Sequence, residues 1–221
     1  MDANSEKDKI DNTKKAVAIF EEKALLYQEK FMDVDPYHDS FDVFCSYIKK
    51  KNATILELAC GPGNVTKYIA EKRPDFEILG TDLSPAMLNL ARKNVPSATF
   101  ELMDSRDLHQ VDKKYDGILV GFCLPYLSKE DTLKLIEAAS RVLNENGVLY
   151  ISTMEDDYSK SRVIRPSDGS PGGLYTYFHQ AEYLLAYLKQ NDFTLLDLSR
   201  LDTVQDGGEL RDLVLVARKG N

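Results

Sequence analysis

The sequence predicts an α/β fold: a doubly wound, mostly parallel sheet with a C-terminal antiparallel hairpin, preceded by a helical extension. Three observations carry this. Short β-prone runs alternate with amphipathic helical patterns from residue 54 to residue 153, which is the signature of right-handed crossovers on a parallel sheet. The first such run breaks directly into Gly61-Pro62-Gly63, a turn in which backbone can approach a guest. The last two β-rich runs, at 193–199 and 213–218, have no helical pattern between them and so must pair antiparallel.

Each element has a local reason. Residues 1–12 read as unstructured, and a helix follows over 14–32, where Val17, Phe20, Ala24, Tyr27 and Phe31 fall on one face. Pro36 interrupts, and a second helix spans 39–50, ending in Lys49-Lys50-Lys51. Strands are expected at 54–58, 76–81, 99–102, 115–121 and 148–153. Ser84-Pro85 supplies an N-cap and a first-turn proline; Ser128-Lys129-Glu130-Asp131 resembles a capping box. Gly147 reads as the C-cap that ends the following helix. The polar, Gly- and Pro-rich stretch at 155–177 is long for a connector and suggests a lid.

The 221 residues suit one domain, burying roughly 70% of the unfolded surface. A net charge of −8 argues against nucleic acid. The longest apolar stretch, 117–127, is too short for a bilayer, and the polar N-terminus is unlike a signal peptide. Cys45, Cys60 and Cys123 are odd in number and scattered, which fits a cytoplasmic protein and no metal site.

The chemistry concentrates at strand ends. Glu57, Asp82 and Asp104 fall near the carboxyl ends of the first three strands, where open parallel sheets bind ligands. Each also has a plainer reading as a cap or a solvated loop charge. Asp82 suits the vicinal hydroxyls of a ribose. Asp104 and the Ser105 backbone suit the edge of a purine, with Leu83, Met87 and Met103 as apolar walls. Glu57 beside a Gly-x-Gly turn favours a guest that carries an ammonium group.

Taken in order, LELACGPG, GTDLSPAML, MDSRDL, YDGILVGFCLPYLS and GVLYISTM resemble the class I S-adenosylmethionine-dependent methyltransferases, with their Rossmann-like sheet. The resemblance covers roughly residues 53–153 and resumes in the terminal hairpin. Ala59 stands where that family often has a glycine. The resemblance implies S-adenosyl-L-methionine as cofactor, its methionyl end lined by Glu57, Gly61 and Gly63. It implies Asp82 at the ribose, Leu83 and Met87 near the adenine, and Asp104 and Ser105 at its edge. Gly121 and Phe122 would contact the amino acid portion, and Asp116 resembles the family's structural acid.

The acceptor side is less defined. Gly121-Phe122-Cys123-Leu124-Pro125-Tyr126 lacks the Asp/Asn-Pro-Pro-Tyr signature of methylation at nucleobase or amide nitrogen, so a small-molecule acceptor is expected. Tyr27, Tyr37, His38, Tyr126, Tyr175 and His179 are its candidate contacts, each with an alternative role in packing or capping; no catalytic residue is assigned. Residues 1–50 then form a helical extension and lid, and 51–221 the cofactor-binding domain with an insertion at 155–178. Two other readings remain: an NAD(P)-dependent oxidoreductase, against which Thr66 takes the place of the third glycine, and a cofactor-binding scaffold without catalysis.

Overall fold

The computed structural model describes residues 12–165, 173–205 and 208–220. The expectation for residues 1–12 therefore lies, except for Asn12, outside the described residues, as do residues 166–172 of the long stretch at 155–177.

The extension contains α1 (Asn12–Glu22) and α2 (Ala24–Phe31), then a 3-10 turn at Asp35–Tyr37 and α3 (His38–Tyr47). The single helix expected over 14–32 is broken at Lys23, whose backbone leaves the helical region at φ −106°, ψ 19°. Hydrogen bonding persists through the kink, from Lys23 N–H to the Ile19 carbonyl and from Tyr27 N–H to the Lys23 carbonyl, both at 2.9 Å. The bend brings Phe20 and Tyr27 edge to face at 5.5 Å.

The alternating part runs β1 (Thr54–Leu58), α4 (Asn64–Lys72), β2 (Glu77–Asp82), α5 (Pro85–Asn94), β3 (Thr99–Leu102), β4 (Tyr115–Val120), α6 (Lys129–Val142) and β5 (Leu143–Met154). A small hairpin, β6 (Arg162–Ile164) with β7 (Leu174–Thr176), is followed by α7 (Ala181–Gln190), β8 (Phe193–Gln205) and β9 (Gly208–Lys219). The seven-stranded sheet has the order β3-β2-β1-β4-β5-β9-β8, parallel as far as β5 and antiparallel at β9 and β8. The predicted architecture is the observed one.

Two of the predicted caps hold: Ser84 accepts from Met87 N–H and Ser128 from Asp131 N–H, both at 3.1 Å. Gly147 is different. It lies inside β5, the left-handed residue being Asn146 at φ +60°, and a Cβ on Gly147 would stand 2.9 Å from the Asn144 carbonyl oxygen. Glycine serves close approach there, not a helix end. The hairpin strands are longer than expected. β9 pairs with β5 only from Asp212 to Arg218; before Asp212 it continues with β8 alone, beyond the apolar core.

Period-two alternation splits the core between two faces. Leu56, Leu58, Leu149, Ile151, Leu213 and Leu215 pack with residues of α6 and α7, while Ile55, Val148, Tyr150, Val214 and Val216 pack with Phe41 and Phe44 of α3. Thus α3 packs on one face of the sheet, whereas α1 and α2 lie across its carboxyl edge. Among the described residues no helix is long and apolar enough to cross a membrane.

Asp116 ties the opposite edge together. Its Oδ2 accepts from Thr54 N–H at 2.9 Å, Thr54 Oγ1 at 3.2 Å and Lys50 Nζ at 2.8 Å, while its Oδ1 accepts from Asn144 Nδ2 at 2.8 Å. Burial pushes its carboxyl up, but these donors outweigh burial and hold it below the ordinary aspartate range. Its contribution is therefore present above the ordinary value and lost as pH falls through the lower, folded one. Asp116→Ala should cost about 1–3 kcal/mol in urea unfolding at neutral pH, leaving the Thr54 and Asn144 donors unpaired.

Candidate functional site

The carboxyl edge of the sheet opens into one cavity of about 810 Å3 including its mouth. Glu57 ends its floor on β1, and Asp82 closes β2 beside it; α1 and α2 roof it with Val17, Phe20 and Tyr27.

Why these residues meet follows from the turns. Gly61 at φ +54° and Gly63 at φ +82° take left-handed conformations that glycine adopts without penalty. Ala59 takes the same region at φ +53°, so alanine carries there a strain of about 1–2 kcal/mol that a glycine would avoid. Asp82 locks the turn from the neighbouring strand: its Oδ2 accepts from Gly61 N–H at 2.9 Å and its Oδ1 from Ser84 N–H at 2.8 Å. Glu21 of α1 then accepts from Ser84 Oγ and, at 2.9 Å, from Ala86 N–H at the N-terminus of α5. An anion is favoured at that helix end, and these bonds hold the Glu21 carboxyl below its ordinary range. The roof is further pinned where Asn64 Nδ2 donates to the Phe31 carbonyl and Asn94 Nδ2 to Gln28 Oε1.

Of the residues singled out from sequence, Glu57, Gly61, Asp82, Leu83, Met87, Ser105, Gly121, Phe122, Tyr27 and Tyr126 line this cavity. Gly63, Asp104, Tyr37, His38, Tyr175 and His179 do not. Gly63 caps α4, and a Cβ on it would come within 3.3 Å of Ala91 and 3.4 Å of Val95. Asp104 turns back: it caps the 3-10 turn Ser105–Gln110 through Arg106 N–H and is paired with the Arg106 guanidinium. Tyr37 stands behind Phe122, ring centroids 4.7 Å apart, and its hydroxyl donates to Asp212 Oδ2 at 2.6 Å. His38 stacks on Tyr68, and the Tyr175 hydroxyl donates to the Ser161 carbonyl. His179 is fully buried, bonded to Tyr183 Oη and to the Leu124 carbonyl, and burial lowers its pKa to about 4, so the ring stays neutral.

Sequence reasoning did not place Thr13, Ala16, Val17 or Phe20 at the cavity. Their signal was present in the apolar stripe of the first helix, but a stripe of that kind reads equally well as core.

Phe122 is strained at φ +56°, held by its N–H donating to Ser152 Oγ at 2.9 Å. Such strain at a cavity wall is the sort of feature that positioning demands. Glu57 is only 2% exposed, accepts from Thr66 Oγ1, and has no cation partner in any described ion pair. Burial, opposed by the Thr66 bond and reinforced by Asp82, pushes its carboxyl up to about 8. Burial likewise pushes the Tyr27 hydroxyl up to about 12 and raises that of Tyr126. A buried carboxylate without a counter-ion, a second carboxylate beside it and a glycine turn fit a guest with an ammonium group and vicinal hydroxyls.

Glu57 retains in the folded state a proton that the unfolded chain releases near pH 4.5. Stability of the protein alone should therefore fall as pH rises from about 5 to about 8, by a few kcal/mol at most. Glu57→Gln should flatten that fall and melt higher than wild type at pH 8 in a thermal scan; an unchanged slope would show that Glu57 is not the group responsible.

Residues 55–147 match the family model described as methyltransferase domain. Trans-aconitate 2-methyltransferase of Variovorax paradoxus (strain S110) is 36% identical over 99 residues, covering 45% of this chain and 38% of that protein. Demethylmenaquinone methyltransferase of Thermotoga maritima is 34% identical over 97 residues, covering 44% and 42%. The matches span less than half the length of these curated relatives. Magnesium protoporphyrin IX methyltransferase from Synechocystis PCC 6803, solved with bound S-adenosylhomocysteine, shares the fold at a TM-score of 0.70 and 14% identity over 94% of this chain and 100% of that one. The strand order, the motif at the end of β1 and the domain match over residues 55–147 together support a class I S-adenosylmethionine-dependent methyltransferase fold for this chain.

Proposed function

We propose that this chain transfers a methyl group from S-adenosylmethionine to a small-molecule acceptor held under α1 and α2. The observation that carries this reading is the enclosure of Glu57 and Asp82 in one cavity roofed by Phe20 and Tyr27. When bound, the cofactor supplies an electrophilic methyl on a sulfonium. The chain's part is to hold and orient. Asp82 accepts from the ribose hydroxyls, Glu57 receives the ammonium group, and the Gly61 turn lets backbone approach the amino acid portion. Leu83, Met87 and Met103 wall the adenine, with Ser105 at its edge. Tyr27, Phe122 and Tyr126 face the acceptor, and the helical roof excludes water.

The nicotinamide reading loses its support, since the comparisons lead to methyltransferases and Thr66, in place of a third glycine, is engaged with Glu57. One relative is named for trans-aconitate, a polycarboxylate. The described lining of this cavity contains no lysine, arginine or histidine to hold such an anion, so a different small acceptor fits better.

Asp82→Ala should weaken S-adenosylhomocysteine binding by about 1–3 kcal/mol in isothermal titration, since hydroxyl donors lose a charged acceptor. Wild-type affinity in that variant would remove Asp82 from the ribose. Glu21 fastens the roof to α5, so Glu21→Ala should speed S-adenosylhomocysteine dissociation several-fold in stopped-flow measurements; an unchanged off-rate would mean that the roof does not gate the cavity.

A further inference from the structure

We infer that the methyl acceptor is an amine, selected by a cavity built to keep positive charge; this rests on the methyltransferase reading above and deepens it. Among the described residues, the carboxylic acids that line the cavity are Glu57 and Asp82, and no basic side chain accompanies them. Around them stand the rings of Phe20, Tyr27, Phe122 and Tyr126. Phe20 presents its edge contacts to Tyr27 at 5.5 Å and to Tyr126 at 5.1 Å, which fixes three rings as one wall. On the other side Phe122 is backed by Tyr37, which is bonded to the buried carboxyl of Asp212. Aromatic faces carry negative quadrupole potential, and carboxylates add to it, so the whole enclosure favours cations.

A count of charge separates the acceptor classes. The cofactor's ammonium, placed against Glu57, favours the ionised form of that otherwise protonated carboxyl; with the sulfonium, ammonium and carboxylate beside Glu57 and Asp82 so ionised, the site holds one net negative charge. In transfer to an amine, the ammonium form first gives one proton to solvent, the nitrogen lone pair so freed forms the new bond to the methyl carbon, and the electron pair of the broken carbon–sulfur bond stays on sulfur. Positive charge passes from sulfur to nitrogen, and the count is the same before and after. A carboxylate acceptor would place a second net negative charge in the site throughout. An alcohol would add one at the product, having first surrendered its proton to a base. Tyr27 and Tyr126, the hydroxyl groups of the wall, stay protonated through burial and offer neutral hydrogen-bond partners instead of a base. The amine is thus the acceptor whose reactant and product states both suit the same walls.

The test uses two probes of matched shape, phenethylamine and 3-phenylpropionate, titrated calorimetrically into the full chain loaded with S-adenosylhomocysteine. The amine should bind at least tenfold tighter, and Phe20→Leu, which removes the ring shared by the wall, should reduce that ratio to threefold or less. The same amine should yield S-adenosylhomocysteine when S-adenosylmethionine replaces it, and the carboxylate should not. Equal affinity for the two probes, preference for the carboxylate, or no binding of either overturns the inference; if Phe20→Leu fails to fold, the wild-type ratio alone decides. Failure of S-adenosylhomocysteine to bind, seen before either probe is added, would count against the methyltransferase reading instead.

Discussion

One carboxylate organises the working end of this molecule. Asp82 sits at the end of β2, yet its two oxygens are used by N–H groups of two different turns, Gly61 after β1 and Ser84 before α5. Ser84 in turn donates to Glu21 of the roof. A chain of three hydrogen bonds therefore connects the glycine turn, the start of α5 and the N-terminal helix. Such a chain places the walls of the cavity without help from a ligand, which is what pre-organised binding requires. Burial pushes the Asp82 carboxyl above its ordinary range despite these donors, a cost that the fold sustains at this edge.

The two edges of the sheet use acids in opposite ways. At the amino edge, Asp116 is surrounded by Lys50, Thr54 and Asn144 and held below the ordinary range; its role is to bind strands together. At the carboxyl edge, Glu57 is bonded to Thr66 and paired with no cation in the described ion pairs, and burial pushes its carboxyl up to about 8. The difference is one of compensation. A carboxyl satisfied by the protein is structural, and a buried one left short of partners is suited to an incoming cation.

Much of this was legible in the sequence, for physical reasons that can be named. The parallel sheet was visible because its strands are buried on both faces and punctuated by glycine, proline and capping serines; Ser84 and Ser128 cap as their spacing predicts. Glu57 and Asp82 were visible because strand ends are local features. Asp104 was less so, since the guanidinium that turns it away from the cavity belongs to Arg106, two residues on, and either orientation suits the local pattern. The bond from Tyr37 to Asp212 and the contact of Phe20 with Tyr126 join segments far apart in the chain, and no periodicity encodes them. The kink at Lys23 escaped notice for a related reason: the apolar stripe continues through it, and only packing across the sheet edge selects the bend.

The most direct measurement is a crystal structure of the full chain grown with S-adenosylhomocysteine. The account predicts the nucleoside between the ends of β1 and β2, ribose hydroxyls on the Asp82 carboxylate and the amino group within reach of Glu57, under a roof formed by α1 and α2. The compound lodged elsewhere on the molecule, or a cavity without it at saturating concentration, would contradict the account.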